Sequence, residues 1–289
     1  MRDFVIMTDN NADLPDMYYK ENQVACVSLT YTIDGETYDK DTSLPFGEFY
    51  ARVRAGAMPT TAQTNPEDVK AAMEPCLKEG KDVLYIAFSS GLSGSYNSAR
   101  LAGLEMEEEY PEAKILVVDS LGASLGQGLM VYKAVSLKEE GKTIEEVYAW
   151  LEENKLHVGH VFTVDDLNHL YRGGRVSKTA AVIGSMIKIK PLLHVDNEGH
   201  LIPLGKARGR KKSLQALADM MEERVGSYKE KNDIIFISHA DCLEDAKALS
   251  ALVKEKFGVD KFLIHDVGPT IGAHSGPGTL ALFFMAEKR

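Results

Sequence analysis

The residues that invite a chemical reading first are Ser89-Ser90-Gly91-Leu92-Ser93-Gly94-Ser95, which open a hydroxyl- and glycine-rich segment running to Arg100. They follow a strand-like run (82–88) and lead into a helix pattern (95–109). A helix start offers unpaired backbone N–H groups and a positive dipole end, here with the Ser93 and Ser95 hydroxyls beside them. Such a corner suits a carboxylate or a phosphate. A Ser/Gly-rich cap without a ligand fits this loop alone equally well. A nucleophilic Ser93 would need the G-x-S-x-G elbow, and residues 91–95 carry Ser in place of the last Gly. A serine esterase acting through Ser93 is therefore a near miss and the rival reading.

Three further segments place polar groups at strand ends, where open α/β sheets bind ligands. PTTAQTNPED (59–68) holds Thr60 and Thr61, which either donate to the same anion or finish a turn. VGPTIGAHSGPGTLALFF (267–284) sets His274 in a loop with Gly268, Gly272, Gly276 and Gly278, where glycine lets a backbone approach something closely. LYRGGRVS (170–177) places Arg172 and Arg175 around Gly173-Gly174. Lys206, Arg208, Arg210, Lys211 and Lys212 concentrate positive charge on an acidic chain, as a solvated helix start or a docking patch for an anionic partner. No phosphate-binding G-x-x-x-x-G-K-[ST] or G-x-G-x-x-G occurs. His157 and His160, three apart on a predicted strand, face opposite sides and make no metal pair. The expectation is no metal and no cofactor.

The elements that must carry these loops alternate. Strands are expected at 4–8, 24–33, 82–88 and 114–119, with helices at 45–55, from Asn65-Pro66, and at 95–109, 124–140 and 143–154. This order predicts a mainly parallel sheet covered on both faces. Farther on, a strand at 157–163 precedes helices near 165–171 and 177–186. Runs 187–196 and 200–206 flank Asn197-Glu198-Gly199 as a hairpin, followed by helix 210–228, strand 233–239, helix 243–256, and strands 259–265 and 279–285. The fold class is α/β with two domains, an N-terminal parallel-sheet α/β/α domain (1–155) and a C-terminal mixed α+β domain (156–289).

The chain has 289 residues with 33 Lys+Arg against 43 Asp+Glu, a net charge of −10, and 44% hydrophobic residues. That composition is globular, and the acidic balance argues against nucleic acid as a partner. Cys26, Cys76 and Cys242 are too few and too scattered for a disulfide framework or zinc cluster. The N-terminus does not read as a signal peptide, and the late apolar stretch 280–286 is too short to span a bilayer. A cytoplasmic protein without stable membrane insertion is expected.

Taken in order, MTDNNADLP (7–15), TTAQTNPED (60–68), SSGLSGSYNSA (89–99), VVDSLGASLGQG (117–128), LNHLYRGGRVS (167–177), K-x-R-G-R-K-K (206–212) and GAHSGPG (272–278) resemble the successive signatures of DegV family proteins. The resemblance implies two α/β domains with a long-chain fatty acid between them. Its carboxylate would be gripped by Thr61 and Ser93, with Gly94 and Ser95 beside them and His274 at the same end. It also implies a non-catalytic carrier, the lipid-holding subunit of a fatty acid kinase that presents the carboxylate to an ATP-binding partner for acyl phosphate formation. Arg172, Arg175, Arg208 and Arg210 would then face the partner or its phosphates. Asn10-Asn11, Ala62 and Thr64 depart from the family's usual residues. Burial at about 0.8 kcal/mol per CH₂ makes such carriage feasible, since a fourteen-methylene tail gains about 11 kcal/mol gross. A lipid-stabilised regulatory module is the remaining alternative.

Overall fold

The computed structural model describes residues 2–177 and 188–289 and is an α/β structure built on a parallel sheet and a larger mixed sheet. Beyond Ser177, the helix expected over 177–186 lies outside the described residues.

The parallel sheet comprises β1 (Phe4–Asp9), β2 (Ala25–Val27), β6 (Asp82–Ala87) and β7 (Ile115–Asp119) in the order β2-β1-β6-β7. Every residue of β6 is buried, as expected for a central strand with helices on both faces. On one face α3 (Pro66–Lys78) and α4 (Ser95–Glu109) press Val69, Met73, Ala102 and Met106 against Val83 and Tyr85. Asn65 caps α3, accepting from Glu67 N at 3.0 Å, and Pro66 takes the first helical position. On the other face lie α5 (Leu125–Glu139) and α6 (Ile144–Asn154), the latter opened by a Thr143/Glu146 capping box.

The mixed sheet comprises β8 (Val158–Thr163), β9 (Ile189–Val195), β10 (Leu201–Arg208), β11 (Ile235–His239), β12 (Phe262–Asp266) and β13 (Leu280–Met285). Its order is β10-β9-β8-β13-β11-β12, and only β11 and β12 run parallel. Helices α8 (Arg210–Val225) and α9 (Leu243–Phe257) cover its outer face through Leu217, Met221, Leu249 and Val253. Its inner face meets α5, which packs on β1 and β6 and also on β8, β11 and β13. One helix is thus a common wall for both sheets, and it is buried at every residue from Leu125 to Val131.

Sequence and structure part at three places. The single strand expected over 24–33 divides into β2 and β3 (Thr30–Ile33), which enter different sheets. The Asn10 side chain explains the break. Its Nδ2 donates to Leu29 O at 3.0 Å and its Oδ1 accepts from Leu29 N at 2.8 Å, so a side chain replaces the next ladder partner. Thr60 and Thr61 lie in a strand, β5 (Thr60–Ala62), which pairs with β3 in a small antiparallel sheet completed by β4 (Glu36–Tyr38). His274 lies in a helix rather than a loop, α10 (Pro269–Ser275), whose Pro269 pre-sets the first turn despite the surrounding glycines. Phe49 and Tyr50 of α2 (Phe46–Arg54) join the small sheet to α10, and the Tyr50 hydroxyl donates to Val267 O at 2.6 Å.

Candidate functional site

The hydroxyl-rich loop after β6 is held by Asp9 and by the β9–β10 turn. Asp9, at the end of β1, accepts from Phe88 N at 2.9 Å and from Asn11 N at 3.1 Å. Burial pushes its carboxyl up to about 6. Farther along, Ser89 Oγ donates to Gly199 O at 2.9 Å, tying the loop to the β9–β10 turn. Gly91 sits so close to that turn that a Cβ would lie 2.7 Å from Glu198 O and 2.9 Å from the Gly199 backbone. Gly91→Ala is therefore expected to cost about 1–3 kcal/mol by overpacking backbone against backbone, read as a lower urea midpoint. An unchanged midpoint would show that the turn yields freely.

Ser93 Oγ lies 2.9 Å from Ser95 Oγ and accepts from Ser95 N at 3.2 Å, while Ser95 Oγ accepts from Thr64 N. Ser95 is buried behind the wall and braces Ser93. Thr61, presented by β5, has its Oγ1 2.8 Å from His274 Nε2 on α10, although the two residues are 213 apart in sequence. Burial, with the Arg175 charge assisting, holds His274 down to about 4, so the imidazole is neutral at pH 7. Arg175, just past α7 (Leu167–Arg172), donates through Nη2 and Nε to Leu92 O at 3.0 and 3.2 Å, and through Nη1 to Gly173 O.

Thr61, Ser93, Arg175 and His274 belong to the wall of a cavity with about 1070 Å³ of unfilled space, counting its opening to solvent. Thr61, Ser93, Gly94 and His274 line it together, as does Gln63. Phe88, Leu92, Phe162, Leu170, Val195, Ile271 and Phe283 supply much of its apolar wall, with the side chains of Ser124, Ser238 and His160 set among them. Among the described lining residues Arg175 is the only arginine or lysine. An outer basin shares Thr61, Arg175 and His274 and adds Thr60, His169 and Arg172, whose Nη2 lies 3.0 Å from His169 Nδ1.

The four arginines expected to face a partner thus separate. Arg172 and Arg175 gather at the mouth, and Arg208 is exposed on β10. Arg210 pairs with Asp245 at 2.8 Å and with Asp165 at 3.6 Å, which fastens the start of α8. Sequence reasoning missed Arg175 as a lining group, along with His160, Ser124 and Ser238, which also face the cavity. The signal for His160 was a polar residue inside an otherwise buried strand. Among the described residues, no cluster of three or more His, Cys, Asp or Glu could hold a metal, and no helix is long and apolar enough to cross a membrane.

The sequence model of the DegV family, described as an uncharacterised protein family, matches residues 3–287. The chain belongs to the DegV family. A DegV domain-containing protein of Clostridium perfringens is 46% identical over 291 residues, covering 100% of this chain and 99% of that one. Among solved structures, a DegV family protein of Thermus thermophilus, described by its fatty acid binding, superimposes with a TM-score of 0.87 at 31% identity. The match covers 99% of this DegV chain and 100% of the Thermus chain. DegV of Bacillus subtilis, described as a fatty acid binding protein, gives 0.84 at 31% identity over 99% and 100% of the two chains.

Proposed function

We propose that this DegV protein carries a long-chain fatty acid, with the carboxylate at the mouth and the alkyl chain in the apolar cavity, and presents the head group to an ATP-dependent kinase. The observation that carries the reading is the polarity of the cavity. Arg175, the Thr61 and Ser93 hydroxyls and the His274 imidazole line one cavity with phenylalanines and aliphatic residues. Thr61, Arg175 and His274 also line the outer basin, which sets this polar group on the side where the two meet. An amphipathic acid matches that gradient, since its tail gains from burial and its head needs charge-assisted donors to offset desolvation. The fatty acid binding described for the Thermus and Bacillus proteins supports it. The outer basin, with Arg172 at its rim, supplies a face on which a phosphate-bearing partner could approach the carboxylate.

The hydrogen-bond pattern favours carriage over catalysis at Ser93. Its hydroxyl pairs with Ser95, whereas His274 is bonded to Thr61, so the pattern gives Ser93 no histidine base. Protein purified from its native host is expected to release a long-chain fatty acid on denaturation, detected by mass spectrometry. Addition of a cognate kinase and ATP should convert that acid to acyl phosphate. A preparation that yields no fatty acid and takes up none would end the carrier reading, and ester turnover abolished by Ser93→Ala would install its rival.

A further inference from the structure

Gly122-Ala123-Ser124-Leu125-Gly126 has the spacing G-x-S-x-G and stands between β7 and α5, the strand–turn–helix setting of a hydrolase elbow. Ser124 has the backbone such an elbow requires, φ 54° and ψ −144°, a region L-residues avoid unless the surroundings impose it. Its hydroxyl, however, meets no histidine. Ser124 Oγ donates to Asp13 Oδ2 at 2.6 Å and lies 2.9 Å from Ser238 Oγ. His160, packed against both flanking glycines, bonds through Nδ1 to Val158 O. What the strain holds in place is therefore a contact between elements.

That contact continues. Asp13 Oδ1 accepts from Gly268 N at 3.0 Å, the residue that opens α10, and Asp13 O accepts from His265 Nδ1 at 2.9 Å. One nearly buried carboxyl thus joins the end of β1, the start of α5, β11 through Ser238, and the helix that carries His274. We infer that Asp13 is a positioning residue for the fatty-acid site, fixing α10, and through it His274, by a clasp with Ser124 and Gly268. The inference rests on the carrier reading above. The groups facing the clasp are Asp9 and Asp266, whose charges oppose ionisation of Asp13, with His265 and the phenols of Tyr19 and Tyr50. Burial, with the charges of Asp266 and Asp9 assisting, outweighs the donations from Ser124 and Gly268 that favour ionisation and raises the carboxyl to about 8. In the protonated form Oδ2 can donate to Ser124 Oγ, which passes its own proton to Ser238 Oγ, and Oδ1 still accepts from Gly268 N.

The test uses full-length protein with palmitate as the probe. Asp13→Ala is expected to weaken palmitate binding about ten-fold, the scale of a coupling through one packed element, while Asp13→Asn, which keeps an acceptor and a donor, stays near wild type. Wild-type affinity should decline from pH 7 to 9 and that of Asp13→Asn should not. Equal binding by Asp13→Ala and wild type, or equal weakening by both variants, would overturn the clasp. If Asp13→Ala does not fold, a flat wild-type profile over that pH range overturns it. Hydrogen exchange of residues 270–275, expressed as protection relative to the base-catalysed intrinsic rate, gives a ligand-free readout, in which protection should fall from pH 7 to 9 in wild type and not in Asp13→Asn. If wild type binds no palmitate the carrier reading fails, and this exchange comparison still decides the clasp.

Discussion

Arg175→Met is expected to lower affinity for palmitate about a hundred-fold at pH 7, the effect of removing one partner from a desolvated, hydrogen-bonded charge pair. Arg175 is the only arginine or lysine among the described residues that line the cavity, His274 beside it is neutral, and Arg172 lines the outer basin but not the cavity itself, so its charge is the weaker substitute. The guanidinium also donates to Leu92 O, which links α7 to the hydroxyl loop, and loss of that tie must be separated from loss of charge. Hexadecanol makes the separation, because it shares the chain and lacks the carboxylate. Its affinity should be nearly indifferent to Arg175→Met if the charge dominates, and should fall in parallel with palmitate if the tie dominates. Arg175→Lys should recover part of the palmitate binding, since the cation returns without its fork. Titration calorimetry with both ligands checks all three expectations. Palmitate binding unaltered by Arg175→Met would place the head group elsewhere.

Asp13→Asn should change the pH dependence of stability more than any surface substitution. Burial lifts the Asp13 carboxyl from 3.8 to about 8, so between those values the folded chain keeps a proton that the unfolded chain releases. The unfolded state then binds fewer protons, and stability contributed by this group, complete below pH 3.8, is lost as pH rises until it levels off above about 8. For one proton the slope is about 1.4 kcal/mol per pH unit. Asp9, raised by burial to about 6, has the same sign but is exhausted above that value. His160, His194 and His274, lowered by burial, work in the opposite direction below their ordinary value. The clean window is therefore pH 7 to 8. Across pH 5 to 8 the variant should gain on wild type, and urea midpoints that run parallel throughout would mean that Asp13 is ionised in the folded protein.

Much of this architecture was legible in the residue pattern. Asn65-Pro66 and Thr143/Glu146 mark helix starts through local hydrogen bonds, so α3 and α6 begin where their capping residues stand. The buried strands β6 and β13 announce themselves as apolar runs, and β8 and β11 as shorter β-branched and aromatic stretches. What stayed hidden depends on contacts distant in sequence. The break between β2 and β3 is made by Asn10, nineteen residues before Leu29. Pairing of Thr61 with His274 needs the small sheet and α10 to meet. The same holds for Arg175, which reads as a surface arginine beside Gly173-Gly174 until Leu92 O is seen to receive it. The G-x-S-x-G at 122–126 lay in plain view, but its meaning rests on Asp13 and Ser238, which local spacing does not reveal.

Strand β13, formed by residues 280–285, lies in the interior of the mixed sheet between β8 and β11. During synthesis β8 can pair with β9 early, whereas its other edge waits for residues 280–285, which follow directly on α10. Ala281 and Phe283 of this strand belong to the cavity wall, so the lining is complete only once β13 has joined the sheet.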